Sequence, residues 1–222
     1  LQEERLLGEG NFGVVYQGVW RGVPVAIKKL KMVDVTEEAM EEFAKEAEML
    51  EKFRCEQIVH FYGACFIPNH VCILNELAQF NSLKDCFVRH TNISQELKVK
   101  IMLDAAKGLA YLHHNGILHR DIKPDNILIF DITQIIAVNG KLTDFGSSRN
   151  INMLMTNMTF TKGIGSPTYM APEVLNKDKY KDPADVFSFG VTMYECFKWG
   201  EAYPKELFPF PWDVVNFVVH DK

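Results

Sequence analysis

"HRDIKPDNIL", His119 to Leu128, sets an acid, a cation and an amide, Asp121, Lys123 and Asn126, at spacings of two and three, just ahead of a segment that reads as strand. The carboxylate can take a proton, the ammonium can meet negative charge as it develops, and the amide offers a hard oxygen to a metal ion. Taken singly, Asp121 also fits a loop-capping aspartate and Asn126 a turn residue. What precedes the stretch is helical: Ile101, Ala105, Leu109 and Leu112 make one apolar face, which Gly116 can end.

Further upstream the pattern changes. Alternating apolar positions run through Leu6 to Val19, and "VPVAIKKL" from Val23 is a second β-rich run after the turn-like Arg21-Gly22. A helix is predicted next, with Thr36 as N-cap, Glu37 and Glu38 at the positive end of the dipole, and Met40, Phe43, Ala47 and Leu50 at helical spacing. Glu46 falls on that same stripe, so it points inward and needs a partner. A strand pair follows around Cys65 and Val71 to Leu74, interrupted by the turn-like Pro68-Asn69-His70. A mostly β first third and a mostly helical remainder predict two lobes joined near "NELAQFNSL", Asn75 to Leu83. There is no internal repeat or low-complexity tract.

"GEGNFGVV", Gly8 to Val15, fits G-x-G-x-x-G-x-V between two strand-like runs. Glycines let a hairpin backbone approach phosphates and leave its amides free to donate, although ordinary turn requirements explain such glycines as well. Fifteen residues after Gly13, "VAIK" places Lys28 on a strand beside the apolar Ile27 and Ala26. A lone lysine there would snorkel to solvent. An ion pair with the inward Glu46 would instead aim its ammonium at phosphates beneath the glycine hairpin.

At 222 residues and 47% hydrophobic content the chain can bury a sizeable core. A net charge of −5 and a pI near 5.8 argue against a general nucleic-acid binder, which needs clustered cations. The five cysteines form no CxxC pair, and their spacing predicts reduced, mostly buried thiols in a cytoplasmic setting. No signal peptide or membrane span is expected from the sequence.

With "LTDFGSSR", containing Asp144 and Gly146, and "MAPE", ending at Glu173, five ordered motifs stand between residues 6 and about 200. Together they resemble the eukaryotic-type protein kinase catalytic domain. The resemblance implies an α+β, bilobal fold, with a β-rich N-lobe over 1–76, a hinge over 76–82 and a partial, mainly helical C-lobe over 83–222. It also implies ATP and Mg2+ as cofactors and proteins as substrates. Asp121 would accept or orient the substrate hydroxyl proton, Lys123 would stabilise the transferring phosphoryl group, Asn126 and Asp144 would hold the metal, and Lys28 with Glu46 would position phosphates. Leu7, Gly8, Gly10, Gly13, Val15 and Ala26 would cover the nucleotide and Leu128 would floor it. Glu76 and Ala78 would offer hinge backbone groups, and Asn75 would stand just before the hinge.

"HRDIKPDN" with "GSPTYMAPE" resembles the serine/threonine pattern, while "FAKEAEMLEKFRCEQIVHFYGAC" and "DVFSFGVTMYECFKWG" resemble the tyrosine kinase-like branch. A scaffold with weak catalysis and dual or tyrosine specificity are the alternatives. Such scaffolds typically lose one of Lys28, Asp121, Asn126 or Asp144, and all four are present. Thr156, Thr159 and Thr161 are candidate phosphosites, because Arg120 beside Asp121 couples activity in the family to phosphate on this segment. Ser166 falls where the family's threonine contacts the catalytic loop. The closing run from Trp199 is similar to amoebic transmembrane kinases, which implies the cytoplasmic part of a receptor whose membrane tether lies outside this sequence. Cys55, Asn81 and Phe187 depart from the family pattern. No arginine follows Arg149, so Glu173 is expected to be buried without its usual partner, in a chain whose last helices lie beyond Lys222.

Overall fold

The computed structural model describes residues 1–9, 13–30, 37–67, 70–90, 93–133, 135–150, 166–176, 178 and 180–220. The β-rich third forms β1 (Gln2–Glu9), β2 (Val14–Trp20), β3 (Val23–Lys29), β4 (Phe61–Ile67) and β5 (His70–Glu76), with one helix, α1 (Glu37–Lys52), between β3 and β4. The strands make one antiparallel sheet in the order β1-β2-β3-β5-β4. The two-residue turn at Arg21 and Gly22 has φ of 52° and 81°, the left-handed geometry that matches the twist of a tight hairpin. Thr36, Pro68 and Asn69 lie outside the described residues.

Side-chain alternation divides the sheet. Val71 and Ile73 of β5 join the main core with Leu30 and with Phe43, Ala47 and Leu50 of α1. Cys72 and Leu74 point the other way and join Val25 and Ile27 in a small outer cluster. The apolar stripe read for α1 is thus the face that docks on the sheet.

The remainder is helical: α2 (Leu83–Arg89), α3 (Gln95–His114), α4 (Pro172–Leu175), α5 (Asp182–Lys198) and α6 (Pro211–His220), with the short strands β6 (Ile117–Leu118), β7 (Ile127–Ile129), β8 (Gly140–Leu142) and β9 (Arg149–Asn150). Ser82 starts α2 with a capping box: its hydroxyl accepts from the Asp85 N–H, and the Asp85 carboxylate accepts from the Ser82 N–H. Gly116 follows α3 at φ 68°. The face predicted from Ile101, Ala105, Leu109 and Leu112 is buried, and it packs in the same cluster as Phe43, Leu50 and Ile73. One apolar core therefore runs through both lobes, and it fixes the distance between the strands that carry Lys28 and the loop that carries Asp121.

Glu173 departs from expectation. It lies in the first turn of α4 and is half-buried rather than fully buried among the described residues. Cys55 and Phe187 are half-buried at the edges of their clusters. Asn81 holds φ 58°, which asparagine tolerates better than most residues with a side chain.

Candidate active site

β3 runs between β2 and β5, and its register sets Lys28 opposite Val15 and Ile73. The Lys28 ammonium donates to both oxygens of Glu46, at 2.8 and 2.7 Å, and to Asp144 Oδ1 at 3.3 Å. Burial alone would depress the lysine's pKa, but the carboxylates of Glu46 and Asp144 outweigh it and hold the ammonium above its ordinary range. Burial pushes the Glu46 carboxyl up, against the pull of Lys28. It would raise Asp144 too, yet the charge and hydrogen bond of Lys28, with the charge of Lys123, hold that acid below the usual carboxylate range.

Asp144 has φ 62° and precedes a single 3₁₀ turn, Phe145–Ser147. Phe145 is 1% exposed and anchors that turn, its ring 4.9 Å from Phe53 and 5.2 Å from His119. An apolar residue sealed in the core thereby turns its acidic neighbour toward Lys28.

The catalytic loop is held from beneath. Asp185, in the first turn of α5, is fully buried and accepts from the His119 N–H at 2.9 Å, the Arg120 N–H at 2.8 Å and the Tyr180 hydroxyl at 2.7 Å. His113 Nε2 lies 2.9 Å from the same carboxylate. These bonds hold Arg120 at φ 70°, which a residue with a side chain rarely adopts unaided. His119 Nδ1 accepts from the Asp121 N–H at 3.3 Å, which leaves the proton on Nε2, where it meets the Thr143 carbonyl at 3.0 Å.

Above this base, the Lys123 ammonium donates to Asp121 Oδ2 at 2.7 Å and to Ser166 Oγ at 3.0 Å. The Asn126 amide donates to the Asp121 carbonyl at 2.7 Å and to Asp121 Oδ2 at 3.0 Å. With its nitrogen so used, Asn126 Oδ1 is the atom left to meet a cation. Ser166 thus touches the catalytic loop as the resemblance implied.

Leu7, Gly8, Gly13, Val15, Ala26 and Lys28 line a cavity of about 380 Å³ between the lobes. Glu46, Asn75, Glu76, Ala78, Asn126, Leu128 and Asp144 complete its wall, and Asp121 and Lys123 adjoin it through Asn126. Gly10 and the candidate phosphosites Thr156, Thr159 and Thr161 lie outside the described residues. A Cβ on Gly13 would stand 2.3 Å from the Lys29 carbonyl oxygen, so the hairpin can close on the sheet only with glycine there. A larger groove of about 1240 Å³ runs behind the hinge between α1 and β4, but of these residues it holds only Glu76.

The donor set suits Mg2+ carried by a phosphate ligand. Among the described residues no cluster of three or more His, Cys, Asp or Glu could hold a metal alone. Asn126 and Asp144 offer one hard oxygen donor group each, as expected where substrate phosphates and waters supply the rest of an octahedron. Asn75 lines the same cavity, and its Oδ1 is buried with no partner among the described residues.

Sequence reasoning missed Asp185, which looks like an ordinary first-turn acid of a helix, and His119 as a structural base of the loop. It also missed Lys141, whose ammonium holds the Glu76 side chain at 2.7 and 3.0 Å and steadies the hinge, and Glu195, which accepts from the Tyr169 hydroxyl at 2.8 Å. Only the motif "DVFSFG" offered a signal for Asp185.

A five-stranded sheet over a helical lobe, with a lysine–glutamate pair and a loop-borne acid, lysine and amide meeting at the cleft, defines a nucleotide-dependent phosphotransferase. The chain belongs to the protein kinase domain family, whose model matches residues 1–207. ATP with Mg2+ is that family's usual cofactor pair. The chain is 40% identical over 191 residues to a protein of Dictyostelium discoideum named as a serine/threonine-protein kinase, a match covering 85% of this chain and 20% of that relative. It is 38% identical over 195 residues to the serine/threonine-protein kinase named drkA of the same organism, covering 86% and 29%. It is 38% identical over 200 residues to a mimivirus protein whose name reads serine/threonine-protein kinase/receptor R831, covering 89% and 12%. The chain therefore spans less than a third of the length of each of these relatives.

Proposed function

We propose that the protein transfers the γ-phosphoryl group of ATP to serine and threonine hydroxyls of protein substrates. The observation that carries this reading is the position of Lys123, which contacts the acid of the catalytic loop and the Ser166 hydroxyl together. Asp121 orients the substrate hydroxyl and takes its proton. Lys123 lies within reach of the charge that develops on the transferring group, and Lys28, steadied by Glu46, holds the phosphates behind it. When bound, Mg2+ neutralises phosphate charge, and Asn126 and Asp144 are the residues that hold it. Leu7, Gly8, Gly10, Gly13, Val15 and Ala26 roof the nucleotide, Leu128 floors it, and the backbone of Glu76 and Ala78 reads its base edge.

The domain limits follow from the same reading: an N-lobe over 1–76, a hinge over 76–82 and a C-lobe from 83 onward. Placement in the tyrosine kinase-like branch is supported by "DVFSFGVTMYECFKWG" and the run through Cys65. A cytoplasmic location, with a receptor region and membrane tether elsewhere in the protein, is supported by the receptor name of the mimivirus relative. No helix among the described residues is long and apolar enough to cross a membrane.

The test uses the full-length protein with labelled ATP, Mg2+ and a generic basic protein, beside its Asp121→Asn variant. Phosphoserine or phosphothreonine that disappears in the variant is the expected result. Phosphotyrosine alone would overturn the specificity, and no transfer by the wild type after phosphorylation of its activation segment would overturn the activity.

A further inference from the structure

Two of the five cysteines face one another across the sheet. β4 and β5 pair in a register that sets Cys65 directly opposite Cys72. Directly opposed residues of antiparallel strands project from one face, with Cα atoms about 4.5 Å or 5.5 Å apart depending on the hydrogen-bond pattern. Both values lie within the range of roughly 4.4–6.8 Å over which a disulfide closes without moving the backbone. Packing places the two side chains together: Cys72 belongs to the outer cluster of Val25, Ile27 and Leu74, and Cys65 packs against it. Both border one cavity of about 370 Å³, which Lys29 and His70 also line.

Access differs between the two. β4 is the sheet's edge strand and Cys65 is half-buried, whereas Cys72 is 6% exposed. A small oxidant therefore meets Cys65 first and finds Cys72 behind it, the arrangement of a reacting and a resolving thiol. Burial pushes the Cys86 and Cys196 thiols up to about 11 and about 12, so both stay protonated within the core.

We propose that Cys65 and Cys72 form a peroxide-reactive dithiol that closes to a cross-strand disulfide. The Cys65 thiolate attacks one oxygen of a hydroperoxide. An S–O bond forms, the O–O bond breaks, and the departing oxygen takes the thiol's proton; with hydrogen peroxide it leaves as water. The Cys72 sulfur then attacks the Cys65 sulfur, the S–S bond forms, the S–O bond breaks, and a second water leaves with the Cys72 proton. Two thiols lose two electrons in all, and the peroxide gains them. The bond staples the edge strand to β5, which carries Asn75 and Glu76 into the hinge, and a dithiol reductant reverses it.

The experiment is thiol mapping of the native full-length protein, independent of any kinase assay. The protein is titrated with hydrogen peroxide, alkylated, digested and analysed by mass spectrometry. The expected result is a link between the peptides holding Cys65 and Cys72, reversed by dithiothreitol, kept in Cys55→Ser and lost in Cys65→Ser. Three outcomes would overturn the proposal: Cys65 oxidised to sulfinic acid without a link, a dominant link through another cysteine, or both thiols still alkylated after peroxide. The wild-type map decides the matter even if the Cys65→Ser variant folds poorly.

Discussion

Replacing Asp185 with asparagine tests the anchoring of the catalytic loop with almost no change of volume. The carboxylate accepts on both oxygens: the His119 N–H and His113 Nε2 meet Oδ2, and the Arg120 N–H and Tyr180 hydroxyl meet Oδ1. An asparagine has one acceptor and one donor. Whichever way its amide turns, the NH₂ confronts one backbone N–H, of His119 or of Arg120, and neither can reverse, whereas the Tyr180 hydroxyl can. One buried donor is therefore left unsatisfied, at about 1–3 kcal/mol, and the other bonds lose their charge assistance. The expected loss is about 2–4 kcal/mol, a large share of a typical total of roughly 5–15 kcal/mol.

The pH dependence adds a second check. Burial would raise Asp185, but the hydrogen bonds of His113, Tyr180 and the Arg120 N–H hold its pKa below the usual carboxylate range. A depressed folded-state value contributes stability that is present above the unfolded pKa, about 4, and is lost as pH falls through the folded value. The gap between wild type and Asp185→Asn should therefore be constant near neutral pH and narrow below about pH 4. Urea unfolding of the full-length proteins across that range measures both quantities. A variant within about 0.5 kcal/mol of wild type at neutral pH, the ordinary scatter of surface substitutions, would refute the reasoning.

Glu46→Gln removes the charged partner of Lys28 while leaving Asp144 in place, and a charged hydrogen bond of about 1.5–3 kcal/mol converts to a fall in kcat/KM of roughly 10- to 100-fold. Steady-state phosphorylation kinetics check this, and an unchanged kcat/KM would dismiss the pair as a positioning device. Asn75→Leu replaces a buried acceptor without a described partner by an apolar side chain of similar size, so the ligand-free protein should gain about 1–3 kcal/mol in urea unfolding. A loss of stability would mean that the carboxamide is satisfied by other means.

What could be read from the chain alone was chemistry that is local in sequence or periodic. Asp121, Lys123 and Asn126 stand within six residues, so any backbone that turns there brings them together. Glu46 announces itself because helical periodicity puts it among Phe43, Ala47 and Leu50, where a carboxylate cannot remain alone. Lys28 was legible as its partner only in combination, each residue lacking what the other supplies.

The tertiary structure decided what depends on where distant segments meet. Asp185 lies 66 residues from His119, and no pattern of period 2 or 3.6 connects a helix's first turn to a loop so far upstream. The grip of Lys141 on Glu76 and the pairing of Cys65 with Cys72 are of the same kind, set by register and packing. Sequence determines which groups are present and which way each local element turns them. Burial and register determine which of those groups are neighbours, because a core shared by both lobes settles its geometry only when the whole chain closes around it.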